Sequence, residues 1–421
     1  MKVNLLWVAM FALSATGVIA APATAETIFI TNAHLIDGVR DSRDVTIEIS
    51  DGKVVAIGSD NPDASRGTII DAHGQPVTSS IYAAATQIGI VEQGGASDTD
   101  DRSVASGPLG ATYEVAYSVD PNNLLIQEAR VQGVARAMLF PGGGSDIFAG
   151  SGALIYLRDG SDLVVKANGA LFTGGSSSIA AAGDSRGAFW QLIRNALHEA
   201  RLSKSKKTDP PMVNQLASGL QLKALRPVMD KDIPLAIWAN REIDIRSAAG
   251  LARDYDIKVV ILGGAEAWRA SDVLVGQDIS VVIDPLDELP ASYELVGARR
   301  DNAALLDKAG VRFAFMVSGQ GIYLSYNVGP ALREGAGIAV ANGLSYAAAL
   351  RAITTSPGEI WGDETTRGLA PGVSADLVIW DGDPLEPSSA PAHIFVGGKM
   401  VSRETRQILL RNRYMPAALK Q

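Results

Sequence analysis

Apolar residues follow two different spacings along this chain. Near the N-terminus, TIFITNAHLIDG (27–38) and VTIEISDGKVVAIGSD (45–60) alternate apolar and polar positions. That period of two belongs to strands with one buried and one wet face. Residues 27–75 therefore read as short antiparallel strands. The Asp51–Gly52 pair between two apolar runs predicts a hairpin, because a type I′ turn needs positive φ at both central positions. The same texture returns in ADLVIWDGDP (375–384) and AHIFVGGKMV (392–401). Two strand-rich ends predict a small β-sandwich domain assembled from residues 26–75 and 371–421.

The middle, 76–370, has a different pattern. Short, nearly continuous apolar runs predict buried strands at 133–140, 152–157, 234–239, 257–262, 279–283 and 311–317. Between several of them lie amphipathic segments with helical spacing, such as RSAAGLARDY (246–255) and NAALLDKAG (302–310). Buried strands joined by helical crossovers make a parallel sheet. At this length the expected fold class is α/β, a TIM-like (β/α)8 barrel, with an open doubly wound sheet as the alternative. GGSSS (174–178) and SKSKKTDPP (203–211) read as exposed loops.

Composition narrows the function classes. The 421 residues are 47% hydrophobic and 20% charged, which is globular composition, and the net charge of −9 argues against a nucleic-acid partner. Lys2, the apolar run 5–19 and the small residues Ala23 to Ala25 together read as a signal peptide over 1–25, with a membrane anchor as the alternative. The mature chain is then expected to be exported, periplasmic or secreted, and free of the membrane. There is no cysteine, which removes disulfides, thiol catalysis and thiolate metal sites.

Specific residues sharpen this picture. The run GLSYAAALRAITTSPGEIWG followed by RGLAPGVSADLVIWDGDPLE (343–386) resembles the closing segment of the amidohydrolase superfamily, with its turn at Gly368, Leu369, Pro371, Gly372, Ala375, Asp376, Leu377 and Val378. TNAHLIDG, DGKVVAIG and IIDAHGQPVTSS resemble its opening segment. GVARAMLFPGGG, IPLAIWANREIDI and LLDKAGVRFAF are similar, more narrowly, to the exported branch related to imidazolonepropionase. The resemblance implies a hydrolase of non-peptide or cyclic C–N bonds, with one or two divalent metals, usually zinc, at the barrel's C-terminal rim. Such a metal lowers the pKa of bound water from 15.7 to about 7, an effect of order 10 kcal/mol on nucleophile supply.

The ligands that the resemblance implies are two histidines on the first strand, histidines ending the fifth and sixth strands, and an aspartate ending the eighth. Carried over, they fall on Ala85 and Gln87 in VTSSIYAAATQIG (77–89), then on Trp238, Gly263 and Ser318. Alanine and glycine have no donor atom, and an indole N–H donates but cannot ligate. The four histidines, His34, His73, His198 and His393, all fall elsewhere. No metal cofactor is therefore expected.

Polar residues near strand ends remain as candidates. Glu92, Asn240, Arg241, Ser318 and Gln320 are expected to line a substrate pocket, with Glu242 beside them. Glu266 and Asp284 are candidate catalytic carboxylates, one acid and one base. The alternative roles are a helix cap for Glu266 and a turn for Asp284, which precedes Pro285. Lys166 could be the lysine that some relatives carbamylate to bridge two metals, a role that needs the other ligands. The glycine-rich run 140–152 could cradle an anion or form a tight loop. Two functional readings follow: a hydrolase of C–N bonds, or a catalytically inactive small-molecule-binding or accessory protein, either of which can form a homo- or hetero-oligomer with a related chain.

Overall fold

The structure, a computed structural model, describes residues 27–415 except 61, 93–96, 108, 206–216, 288 and 318–325. The segment 1–25 read as a leader lies outside the described residues.

The alternating N-terminal segment forms β1 (Ile28–Ile36), β2 (Asp41–Ser50), β3 (Lys53–Gly58), β4 (Thr68–Asp71) and β5 (Pro76–Ser79). In β2 the inward set is Val45, Ile47 and Ile49, every second residue. Asp51 and Gly52 have φ of 51° and 74° and close the β2–β3 hairpin, with Ser50 opposite Lys53. The expected antiparallel pairing holds for β1, β2 and β3, whereas β4 and β5 lie parallel to β1. The C-terminal strands β14 (Leu377–Trp380), β15 (Pro391–Val396) and β16 (Lys399–Met400) complete the sheet in the order β16-β15-β14-β5-β1-β2-β3, with β4 also on β1. Two register shifts in β1, the first spanning Asn32 at φ 51°, bend that strand. One core then takes Ile30, Leu35 and Ile47 from the N-terminal strands and Leu377, Ile379 and Phe395 from the C-terminal ones.

A second eight-stranded sheet forms the barrel. It runs in sequence order through β6 (Ile81–Thr86), β7 (Val134–Leu139), β8 (Phe148–Tyr156), β9 (Val164–Thr173), β10 (Leu235–Ala239), β11 (Val259–Gly263), β12 (Ser280–Ile283) and β13 (Phe313–Phe315). Neighbouring strands are parallel except at β8, which runs against both β7 and β9. The connections on either side of β8 are too short for a helical crossover, so hairpins form there. This departs from eight uniform β/α units, and β9 was missing from the strands expected on sequence. The helix Ser356–Trp361 packs against both β13 and β6, where the barrel closes.

Helices cover the outside. In Glu242–Tyr255 the residues Ile245, Ala248, Ala249 and Ala252 form the buried stripe, and left-handed Asp256 ends the helix. The helix Asn302–Ala309 ends at left-handed Gly310 in the same way. Together the two sheets make a TIM-like α/β barrel beside a β-sandwich domain.

Candidate functional site

Beneath the mouth formed by the C-terminal ends of its strands, the bore of the barrel is packed with apolar side chains. Trp238 meets Phe140 edge-on at 5.8 Å between ring centroids. Phe140 lies 6.2 Å from Phe172, and Phe172 lies 5.9 Å from Trp361. Met138, Leu262, Val282 and Met316 fill the same buried cluster. The Trp361 indole N–H donates to the Ala84 carbonyl at 2.8 Å, which ties the closing helix to β6.

The implied ligand positions fall on this packing. Ala85 is buried in the bore cluster and offers no donor atom. Gln87, also buried, donates from its amide to the Phe140 carbonyl at 3.4 Å and accepts from Arg102 at 3.2 Å. Trp238 is half-buried with its ring against Phe140. At Gly263, with φ +89°, a Cβ would stand 2.2 Å from the Asn240 Oδ1, so the Asn240 side chain holds the space that a ligand side chain would need. Ser318 lies outside the described residues. Among the described residues, no group of three or more histidine, aspartate or glutamate side chains could hold a metal ion. The donor set at these described positions does not fit zinc, which favours imidazole nitrogen and carboxylate oxygen.

The two candidate carboxylates have local partners. Glu266 Oε2 accepts the Glu242 backbone N–H at 2.8 Å, so Glu266 stabilises the N-terminus of the helix Glu242–Tyr255. Asp284 Oδ1 accepts the Leu286 N–H at 2.9 Å, a side-chain-closed turn. Asp284 also lines a cavity of about 20 Å³ with Asn240, Gly263, Arg299 and Asn302, while Glu266 is not among its lining residues. Of the two carboxylates, Asp284 alone lines this cavity. A water molecule needs roughly 10–15 Å³, whereas ligand pockets run to about 300–1,000 Å³, so this space suits a water.

Asn240 Oδ1 accepts the Ala265 N–H at 3.4 Å, and its carbonyl accepts the Glu266 N–H. Arg241 is exposed at the entry to the helix Glu242–Tyr255. The Glu92 carbonyl accepts the Tyr326 hydroxyl at 2.7 Å. Gln320, like Ser318, lies outside the described residues. Lys166 sits near the start of β9, seven residues before Thr173 at its mouth end. At about 3.3 Å per residue that is roughly 23 Å along the strand. His34 pairs with Asp41, His198 with Arg201 on the outer helix Arg186–Ser205, and His73 and His393 stand in the β-sandwich segments. In the glycine run, Gly142 N–H donates to the Arg102 carbonyl, and a Cβ at Gly143 would collide with Ser177. These glycines serve close packing of loops.

Two features of the mouth were not anticipated on sequence. Arg102 donates to Asp100 from Nε at 2.7 Å and Nη2 at 2.5 Å while also reaching Gln87, so the 97–105 loop is latched over the first strand. Those Arg102 hydrogen bonds hold the Asp100 carboxyl below its ordinary pKa. Asn302, buried at 8% exposure, donates to the Gly264 carbonyl at 3.0 Å and leaves its Oδ1 unmatched beside the small cavity. The only sequence signal for Asn302 was a polar residue at the start of an amphipathic helix.

No protein-family model matches the chain. Among solved structures it is similar to an amidohydrolase from Thermotoga maritima, at 25% identity and a TM-score of 0.78 over 90% of this chain and 100% of that one. It is also similar in fold to a 5-methylcytosine deaminase from Klebsiella pneumoniae, at 15% identity and a TM-score of 0.52 over 89% and 97% of the two chains. A curated relative, amidohydrolase tasK of Hapsidospora irregularis, is 40% identical over 57 residues, which is 13% of this chain and 6% of that protein. The structural neighbours of this chain are therefore amidohydrolase-superfamily proteins, and the fold it shares with them is a TIM-like barrel beside a β-sandwich domain.

Proposed function

We propose that this protein keeps the amidohydrolase architecture but works without a divalent metal, as an exported small-molecule-binding or accessory protein. The observation that carries this reading is the occupation of the sixth-strand ligand position by the Asn240 side chain packed on Gly263. Ala85, Gln87 and Trp238 support it, because none supplies an imidazole or carboxylate. A metal-bound hydroxide is worth of order 10 kcal/mol in nucleophile supply at neutral pH. Glu266 and Asp284, each tied to a backbone N–H, are poorly placed to replace it. Exportation rests on the apolar run and small residues of 1–25. The proposed ligand is a small molecule, and pairing with a second copy or a related chain belongs to the same reading.

The second reading is a hydrolase of C–N bonds. It is favoured by likeness to the Thermotoga maritima amidohydrolase over nearly the whole of both chains. It would draw on Asn240, Arg241 and Asp284 at the mouth, or on ligands from a partner chain.

The deciding experiment uses the mature chain without a histidine tag, grown in zinc- and manganese-supplemented medium and measured by elemental mass spectrometry after gel filtration. Metal near zero per chain, with an unfolding temperature unchanged by EDTA, is the expected result. Near-stoichiometric metal that survives dialysis overturns the proposal and makes hydrolase screens the next step. The same gel-filtration run reads the oligomeric state.

A further inference from the structure

At the opposite end of the barrel, where the strands begin against the β-sandwich domain, three buried polar atoms lack a hydrogen bond of good geometry: Ser79 Oγ, Tyr82 OH and Arg136 Nε. The three residues are 9%, 1% and 6% exposed and line one cavity of about 30 Å³. Buried polar groups are nearly always paired, so three unmatched atoms around one space point to something that fills it.

Arg136 explains how the orphan arises. Its Nη1 reaches Asp363 Oδ2 at 3.5 Å, its Nη2 reaches Asp376 Oδ2 at 3.3 Å, and its guanidinium stacks 4.1 Å from the Tyr156 ring centroid. Asp376 is fixed in turn by the Tyr156 hydroxyl at 2.6 Å and the Gly397 N–H at 2.7 Å. The fork of the arginine is therefore spent on two carboxylates, and its Nε–H is left over. Burial, and after it the charge and hydrogen bonding of the neighbouring Asp363, hold the proton on the Tyr82 hydroxyl.

Thr355, Thr366 and Gly368 line both the cavity and a groove of about 550 Å³ that also touches Arg312, Arg351 and Glu359. The polar cavity and the groove are therefore neighbours, with these three residues bordering both.

We propose that this groove binds a small neutral molecule whose carboxamide or alcohol oxygen seats on Tyr82, Ser79 and Arg136. The unmatched atoms are donors or can act as donors, so the missing group is an acceptor. At the inner cavity one arginine faces two aspartates, a formal charge of −1 that disfavours an anionic head group there. The inner space holds about two water-sized atoms, so only the head group enters and the remainder lies in the groove. The proposal goes beyond the metal question, since a metal-bearing chain could carry this site equally well.

The test uses acetamide and glycerol as probes and sodium acetate as the charged control. Saturation-transfer NMR and the unfolding temperature of the mature chain are the readouts. The expected result is saturable binding of at least one neutral probe and none of acetate. Tyr82→Phe, which keeps the ring, should weaken that binding about tenfold, the loss that one buried hydrogen bond brings. Ser79→Ala provides a second variant of unchanged backbone. Absence of saturable binding by either neutral probe overturns the proposal, as does equal binding by the parent and both variants. A probe-independent rise in unfolding temperature for Tyr82→Phe with no probe response also overturns it, because the space then holds only water.

Discussion

Gly263→Ala is the sharpest perturbation of the mouth. Gly263 has φ +89°, a region that L side chains enter at a cost of about 1–2 kcal/mol. The added Cβ would also stand 2.2 Å from Asn240 Oδ1 and 3.1 Å from its Cγ. Asn240 must then swing away and give up its contact with the Ala265 N–H, which adds about 1–3 kcal/mol. The single variant should lose about 2–5 kcal/mol in urea unfolding. Asn240→Ala alone should lose about 0.5–1.5 kcal/mol. In the double variant the overlap disappears while the φ cost stays. Its loss should therefore fall short of the sum of the two single losses by about 1–3 kcal/mol, a coupling that a double-mutant cycle measures directly. Additivity within about 0.5 kcal/mol would mean that Asn240 does not occupy the space. Position 263 would then be open to a metal-bearing side chain, and the metal-free reading would lose its main support.

Two further outcomes are expected. Phe172→Ala removes the ring between Phe140 and Trp361 and should cost about 3–5 kcal/mol in denaturant unfolding, while Phe172→Leu should cost clearly less. A near-neutral alanine variant would mean that the bore is loosely filled and could admit a ligand. Asp100→Asn tests the latch over the mouth. Arg102 lowers the Asp100 pKa from its ordinary 3.8, so the stabilisation is complete above 3.8 and is lost as pH falls through the lower folded value. The parent should unfold at higher temperature than Asp100→Asn at neutral pH, with the gap closing below 3.8. A gap that stays constant down to acid pH would exclude a charge-based latch.

The site was legible in part because some of its features are local. Asp284 precedes proline, and its side chain closes a turn with Leu286, the alternative already open from the dipeptide. Glu266 stabilises a helix start, but of the neighbouring helix Glu242–Tyr255, which no local pattern identified. Arg102 and Asn302 carried no distinguishing signal, because a polar residue in a loop or at a helix start looks the same whether or not it reaches the barrel mouth.

By itself, the chain determined the β-hairpin at Asp51–Gly52, the apolar strands, the amphipathic stripes of the helices and the lack of histidine at the implied ligand positions. These depend on residue type and on spacing within a few turns or one strand. Only the tertiary structure decided that β8 runs antiparallel, that Asn240 fills the space over Gly263, and that Ser79, Tyr82 and Arg136 share a cavity with Asp376. Each of those depends on contacts between residues far apart in the chain. Such contacts are set by strand register and packing, which no local period encodes.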